Sequence, residues 1–269
     1  MRKDDTGAEV RRLQDQLAAA KFDVETDGWY GPKTEQAVRD YQLRSGLVAD
    51  GIAGPKTLAV LAGALPSQQH LTQADIESAA QTLDVSPAAI LAINEVESLG
   101  SGFLADGRPV ILFERHVMYQ RLKAAGRDVD AINYPELVNP KRGGYRGGAQ
   151  EWFRLELARQ IDRAAADESA SWGKFQIMGY HWQTCGFDSI EAFAAAMAKS
   201  EAQHLAAFVA LVLADQALHK ALKARKWGEV AKLYNGPAYK ENLYDTKLAR
   251  AYERHSCPRG HAGAEQEAA

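Results

Sequence analysis

Ser86-Pro87-Ala88-Ala89-Ile90-Leu91-Ala92-Ile93-Asn94-Glu95-Val96-Glu97-Ser98-Leu99-Gly100 is the stretch on which the reading of most of the chain turns. Ser86 offers a side-chain acceptor for a helix start, and Pro87 fixes φ for the first turn. A helix is therefore expected to run to about Glu97, with Gly100 ending it. Its two acids differ in position. At 100° per residue, with Ile90 at zero, Ala89, Ile93 and Val96 fall between about 240° and about 300°. Glu97 falls at about 340°, inside that apolar arc, and Glu95 at about 140°, on the side expected to meet solvent. A carboxyl on an apolar stripe loses hydration, which disfavours its charged form and suits it to general-acid work near neutral pH. Spacing alone fits a second role equally well, a structural carboxylate satisfied by a buried arginine or by backbone amides.

Downstream, the turn Asp106-Gly107-Arg108-Pro109 leads into Val110-Ile111-Leu112-Phe113, the best strand candidate. Glu114 ends that run and on a strand shares a face with Val110 and Leu112. Its alternative role is a strand-end salt bridge to Arg115 or a nearby lysine. Two further segments stand out: Ala170-Ser171-Trp172-Gly173-Lys174-Phe175-Gln176-Ile177-Met178-Gly179, and Leu233-Tyr234-Asn235-Gly236-Pro237 with Tyr239 and Tyr244. The stretch from Ile93 to Ser98, with Gly102-Phe103 and Gly107 to His116, resembles the N-acetylmuramidase domain of modular phage endolysins. The later segments resemble the G-x-F-Q-I and Y-N-x-G motifs of the lysozyme and lytic transglycosylase superfamily.

That resemblance implies Glu97 as the catalytic acid and Glu114 as the second carboxylate. It implies Ser171, Trp172, Gln176, Tyr234, Asn235, Tyr239 and Tyr244 as residues of the sugar cleft. Glycoside hydrolysis needs one acid to protonate the leaving oxygen and one carboxylate to assist from the other face. The expected course is inversion, with Glu114 positioning or activating water. The alternative is the transglycosylase route, in which the muramic 6-hydroxyl attacks. Trp152, Trp182 and Trp227 lie outside these segments and are expected in the core.

Upstream, Asp27-Gly28-Trp29-Tyr30-Gly31-Pro32-Lys33-Thr34 recurs as Asp50-Gly51-Ile52-Ala53-Gly54-Pro55-Lys56-Thr57, at an offset of 23 residues with six of eight positions identical. Asp-Gly makes a turn, and Gly-Pro starts a helix. Val10, Leu13, Leu17 and Ala20 mark an amphipathic helix before the first copy. The unit is helix, loop, helix, loop, helix. Residues 7–62 resemble the three-helix peptidoglycan-binding domain of many cell-wall hydrolases. One departure is Lys21-Phe22, where that family commonly has a glycine. The resemblance implies wall binding, with Asp27, Trp29, Tyr30 and Asp50 as the exposed candidates: flat rings for sugar or peptide, carboxylates for stem-peptide donors.

Composition bounds the alternatives. A net charge of −3 over 269 residues does not fit a nucleic-acid binder. Cys185 and Cys257 are far apart and are expected to be free thiols. The seven histidines show no HExxH spacing, and His255 to His261 lacks a clear fourth ligand, so neither metal nor organic cofactor is expected. The N-terminus has no apolar core of a signal peptide, and the most apolar run, Ala206 to Ala214, is far short of the about 20 residues that span a bilayer. The basic run Lys220 to Lys226 reads as a solvated helix face.

The expected architecture is mainly α: a three-helix wall-binding domain, then an α+β lysozyme-like catalytic domain with a small β element. Expected bounds are 1–64 for the first domain, 65–70 for the linker, 71–262 for the second and 263–269 for a tail. The expected partners are peptidoglycan glycan strands and stem peptides, with no nucleic acid and no membrane insertion, and the expected state is a monomer. The expected location is the host cytoplasm until release, then the periplasm and wall. A competing class is a wall-binding protein without catalysis, against which a desolvated Glu97 argues.

Overall fold

Each Asp-Gly loop is tied to the helix before it by one buried glutamine. Gln14 on α1 (Ala8–Ala19) donates to Asp27 Oδ1, the Trp29 carbonyl and Thr34 Oγ1, each at 2.9 Å, and accepts from the Gly28 N–H at 2.8 Å. Gln42 on α2 (Pro32–Arg44) repeats the pattern one copy later. It donates to Asp50 Oδ1 at 2.8 Å, the Ile52 carbonyl at 3.0 Å and Thr57 Oγ1 at 3.1 Å, and accepts from the Gly51 N–H at 2.9 Å. Gly31 and Gly54 precede the prolines that open α2 and α3 (Pro55–Leu61). Val10, Leu13, Leu17, Tyr30, Val38 and Tyr41 fill the small core between the three helices. Lys21 holds the left-handed φ of 68° just past α1, and the Phe22 N–H closes back on the Leu17 carbonyl at 3.0 Å. This is the helix ending that glycine serves without strain, so the departure at this position carries a backbone cost.

The computed structural model describes residues 1–65, 67–97, 101–127 and 130–256, and the backbone alone at Glu97, Pro237 and Ala238. Cys257 and the 263–269 tail lie outside the described residues. The second unit runs α4 (Gln73–Leu83), α5 (Pro87–Glu97), β1 (Ile111–Phe113), α6 (Arg115–Ala124), α7 (Asp130–Asn133), α8 (Ala149–Ile161) and α9 (Arg163–Glu168). It continues with β2 (Ala170–Trp172), β3 (Ile177–Met178), α10 (Ile190–Met197), α11 (Glu201–Ala214), α12 (Gln216–Lys223), α13 (Trp227–Asn235) and α14 (Tyr244–Ser256). The strands form one antiparallel sheet in the order β1-β2-β3. The protein is thus mainly α with a small β element, as its sequence pattern implies. No single helix among the described residues is long and apolar enough to cross a membrane.

α5 is the centre of the larger unit. Every residue from Ala88 to Asn94 is buried, because α4 and α14 pack on it from different sides. This corrects the expectation for Glu95. That residue is half-buried rather than solvated, paired with the Arg254 guanidinium and with His255 Nε2 at 2.9 Å, both from α14. Burial pushes its carboxyl up, but the His255 hydrogen bond and the Arg254 charge outweigh that and hold it below the ordinary value. A helical wheel shows one apolar arc; it does not show a second helix covering the opposite side.

The sheet sets which residues can face a substrate. Ile111 and Phe113 are buried, whereas Val110, Leu112 and Glu114 are half-exposed on the other face. Leu112 pairs with Ser171, and Ser171 pairs with Met178. One sheet face therefore carries the half-exposed Leu112 and Met178 with the buried Ser171 between them.

Candidate active site

A groove of about 1040 Å³ opens where the end of α5, the β2–β3 hairpin and α13 converge. Val96, Gln176, Met178, Tyr234, Asn235 and Tyr244 are among its walls. Four residues implied by the sequence, Gln176, Tyr234, Asn235 and Tyr244, thus meet across one cleft. Glu97 closes α5 directly after Val96; its side chain, and Ser98 to Gly100, lie outside the described residues.

Gln176 has the clearest local signature. From Ala170 to Ile177 every residue is buried except this one. Its backbone holds a left-handed φ of 50°, a conformation costing a non-glycine residue about 1–2 kcal/mol. Its amide donates to the Gly173 carbonyl at 2.8 Å and its oxygen accepts from Ser171 Oγ at 2.8 Å, so the side chain braces the turn that strains it. A strained polar side chain presented to a groove is a pattern of functional sites. Ser171 itself is buried and acts on Gln176 rather than on the groove.

The hairpin is fixed from below by α11. The His204 ring is wholly buried; its Nδ1 accepts from the Lys174 N–H at 3.0 Å and its Nε2 lies 2.7 Å from the Met197 carbonyl, which assigns the proton to Nε2. Burial lowers the pKa of this imidazole. A Cβ at Gly173 or at Gly102 would stand 2.7 Å from ring atoms of His204, so both positions admit only glycine against this ring. Tyr234 donates to the Phe175 carbonyl at 2.7 Å, joining α13 to the hairpin.

Glu114 lies on the open sheet face, outside the described residues that line the groove. Tyr145 Oη donates to its Oε2 at 2.8 Å, and His116 Nδ1 stands 3.0 Å from the same oxygen. The strand-end bridge to Arg115 does not form. That guanidinium donates instead to the Lys141 and Arg142 carbonyls, at 2.9 and 3.1 Å. Glu114 is thus a partly exposed carboxylate that accepts from Tyr145 of the glycine-rich loop, with the His116 ring of α6 beside it.

Several implied site residues sit elsewhere. Trp172 is 1% exposed, donates its indole N–H to the Asp167 carbonyl at 3.0 Å and packs against Trp152 and Phe193. It belongs to the core, because alternation along β2 turns it away from Ser171 and the groove. Tyr239 packs against the hydrophobic core beside the groove and is not among the described lining residues. In the smaller module Tyr30 is 0% exposed and donates to the Gly51 carbonyl at 2.8 Å, tying one loop to the other rather than facing solvent. Asp27 and Asp50 each turn their Oδ1 onto the backbone N–H two residues on, at 2.9 and 2.8 Å. Asp50 is half-buried on the cavity between the two units, and burial raises its pKa. Of the four module candidates, Trp29 presents a large free face, at 47% exposure.

The groove also contains residues that the sequence did not mark: Tyr180, His181, Asp215 and Lys247. Asp215 caps α12, accepting from the Ala217 and Leu218 N–H groups at 3.0 Å. Such a cap reads in sequence as a helix start and nothing more.

A helical core around α5, a small sheet and a groove between them, together with the family match and solved relative given next, make this a glycoside hydrolase of the lysozyme type. A three-helix wall-binding unit precedes it. Residues 86–256 match the N-acetylmuramidase family and residues 6–61 match a peptidoglycan binding domain. The chain belongs to the N-acetylmuramidase family. The crystal structure of the endolysin of the Burkholderia phage AP3 superposes with a TM-score of 0.92 at 54% identity, covering 95% of this chain and 98% of that one. The N-acetylmuramoyl-L-alanine amidase CwlL of Bacillus licheniformis is 47% identical over 62 residues, which are 20% of this chain and 17% of that protein. An uncharacterized protein of Kitasatospora aureofaciens is 44% identical over 61 residues, which are 22% of this chain and 52% of that protein. The chain therefore spans a small part to about half of these curated relatives, and the likeness corresponds in length to the wall-binding unit.

Proposed function

We propose that this chain is an endolysin-type muramidase that hydrolyses the β-1,4 bond between N-acetylmuramic acid and N-acetylglucosamine in bacterial peptidoglycan. The observation that supports it most is the groove at the end of α5, where Val96 meets Gln176, Tyr234, Asn235 and Tyr244. In this reading Glu97, the next residue after Val96, protonates the leaving oxygen. Glu114, held by Tyr145 on the open sheet face, positions or activates water. Gln176 and Asn235 bond sugar hydroxyl or N-acetyl groups, and Tyr234 and Tyr244 offer ring faces. The three-helix unit holds stem peptide or glycan through Trp29 and keeps the enzyme on the wall. No metal or organic cofactor takes part. The protein accumulates in the host cytoplasm and reaches the periplasm and wall on release.

The test is digestion of purified peptidoglycan by wild type, Glu97→Gln and Glu114→Gln, with the products read by mass spectrometry. New reducing muramic ends from the wild type and none from Glu97→Gln are the expected result. Ends of the 1,6-anhydro type would replace hydrolysis by the transglycosylase route. Equal digestion by wild type and Glu97→Gln would remove Glu97 from the chemistry.

A further inference from the structure

Glu201, the first residue of α11, is wholly buried, and four separate parts of the chain converge on its carboxylate. Lys56 Nζ of the wall-binding unit donates to Oε1 at 2.7 Å and to Oε2 at 2.8 Å. The Leu71 N–H, in the segment joining the two units, donates to Oε2 at 3.0 Å. The Gly102 N–H donates to Oε1 at 2.7 Å. Lys174 Nζ, in the hairpin that carries Gln176, lies 3.9 Å from Oε1. The Glu201 N–H in turn donates to the Gln69 carbonyl at 2.7 Å.

The convergence has a direction. Gly102 stands just beyond the segment that follows α5, and Lys174 is two residues before Gln176. Both are also clamped by His204, one turn further along α11. A buried carboxylate needs its counter-charge in place, because an uncompensated charge there is strongly unfavourable. Part of that counter-charge comes from the other unit. Comparison of the two loop copies sharpens the point. Lys33, in the first copy, pairs with Glu25 at 2.6 Å where both side chains are mostly exposed. Lys56 occupies the same motif position in the second copy and reaches a partner that is 0% exposed. One repeat keeps its lysine on the surface, and the other sends it into the second unit.

We propose that Lys56 of the wall-binding unit and Glu201 are positioning residues for glycan cleavage, through which the docked module holds the Gly102 and Lys174 segments in the arrangement the groove requires. This rests on the groove being the cleavage site. The module is then part of the working enzyme and not only its tether. An ångström-scale misplacement of reacting groups costs up to about a hundredfold in rate, so partial loss of the clamp is expected to lower kcat about tenfold.

The experiment uses the full chain and a short soluble oligomer of alternating N-acetylglucosamine and N-acetylmuramic acid, which removes anchoring from the measurement. Lys56→Met is expected to lower kcat about tenfold with little change in KM, Lys56→Arg to restore most of it, and Lys33→Met to match wild type. Retention on insoluble peptidoglycan should be the same for all. A second readout is the acid limb of the kcat profile. Around Glu201 the charged and titratable groups are Lys56, Lys174, His70 and His204, with Asp50 acting on Lys174. Removing the Lys56 charge leaves a carboxylate that takes up a proton more easily, so in Lys56→Met the limb moves to higher pH. The limb is read only where both proteins remain folded by tryptophan fluorescence, since a contact that merely held the fold would shift the acid unfolding midpoint and leave kcat of the folded enzyme unmoved. Wild-type kcat and an unmoved limb in Lys56→Met would overturn the inference while leaving the cleavage reading standing. A wild-type chain inert toward the oligomer, or one whose activity survives Glu97→Gln, would overturn the cleavage reading itself and this inference with it.

Discussion

Replacing Glu201 by glutamine tests how much the buried clamp contributes to folding. Burial alone would raise this carboxyl; Lys174, Lys56 and the Gly102 N–H outweigh it and bring it down from 4.5 to about 2. At about 1.4 kcal/mol per unit, that depression corresponds to about 3 kcal/mol of stability. The sign follows from proton uptake. Between about 2 and 4.5 the unfolded chain binds a proton that the folded protein excludes, so the contribution is complete above 4.5 and is lost as pH falls toward 2. Glutamine keeps an oxygen for the Gly102 N–H but removes the Glu201 charge that Lys56 and Lys174 face. Urea unfolding followed by tryptophan fluorescence, from pH 6 downward, gives the difference between the two proteins directly. The gap is expected to be about 3 kcal/mol at pH 6 and to close as pH falls through the window. Comparing the difference rather than the wild type alone removes the contributions of Glu95 and Glu151, whose carboxyls are also held low. A gap that stays constant with pH, or no gap at pH 6, would refute the argument.

Four other outcomes are expected. Tyr145→Phe removes the hydroxyl that donates to Glu114 at 2.8 Å, a bond worth about 1 kcal/mol at this exposure, so kcat on the soluble oligomer should fall about fivefold and the melting temperature by about 2–4 °C. Lys21→Gly relieves a left-handed φ of 68° on an exposed residue and should raise the stability of the wall-binding unit by about 0.5 kcal/mol in a urea titration, the gain offset in part by glycine's freedom in the unfolded chain. Burial pushes the Cys185 thiol up to about 11, so in a Cys257→Ser background its alkylation by iodoacetamide at neutral pH should be about a hundredfold slower than that of a free thiol. Trp29→Ala deletes the exposed ring of the first loop and should weaken retention on insoluble peptidoglycan about tenfold, with turnover of the soluble oligomer preserved.

What the sequence disclosed and what it withheld divide along one physical line. The extent of α5, the strand after Pro109, the buried apolar helix α11 and the two repeated Asp-Gly loops follow from caps, periodicity and repetition, which are local. Packing partners are not. Trp172 looks like a cleft residue because it sits in a motif; only the pairing of Ser171 with Leu112 and Met178 shows that its neighbour takes the open face and Trp172 the core. Glu95 looks solvated because nothing near it in sequence announces α14. Glu201 follows a serine cap and reads as an ordinary first-turn acid, while the donors it serves lie 145, 130 and 99 residues away. Tyr30 is the same kind of case: an aromatic residue in a turn, turned inward because its hydroxyl reaches the Gly51 carbonyl of the other copy.

The two loop copies share one motif but meet different surroundings. Both share the residues that the glutamine brace requires, the Asp-Gly turn and the threonine, and the brace is the same in each. They differ at the two positions between the glycines. In the first copy these are Trp29 and Tyr30, one ring outside and one ring in the core. In the second they are Ile52 and Ala53. Ile52 borders a cavity of about 410 Å³ between the two units, together with Lys56, Lys174 and Glu201. Ala53 is 1% exposed and exchanges backbone hydrogen bonds with Met1. A flat ring at the second site would face the larger unit across that cavity and would lose part of its hydration there. Small and aliphatic residues there accompany docking of the second loop, while Trp29 of the first copy stays exposed. If Trp29 anchors as proposed, docking and anchoring are exclusive uses of one loop, and its duplication lets one small module serve both.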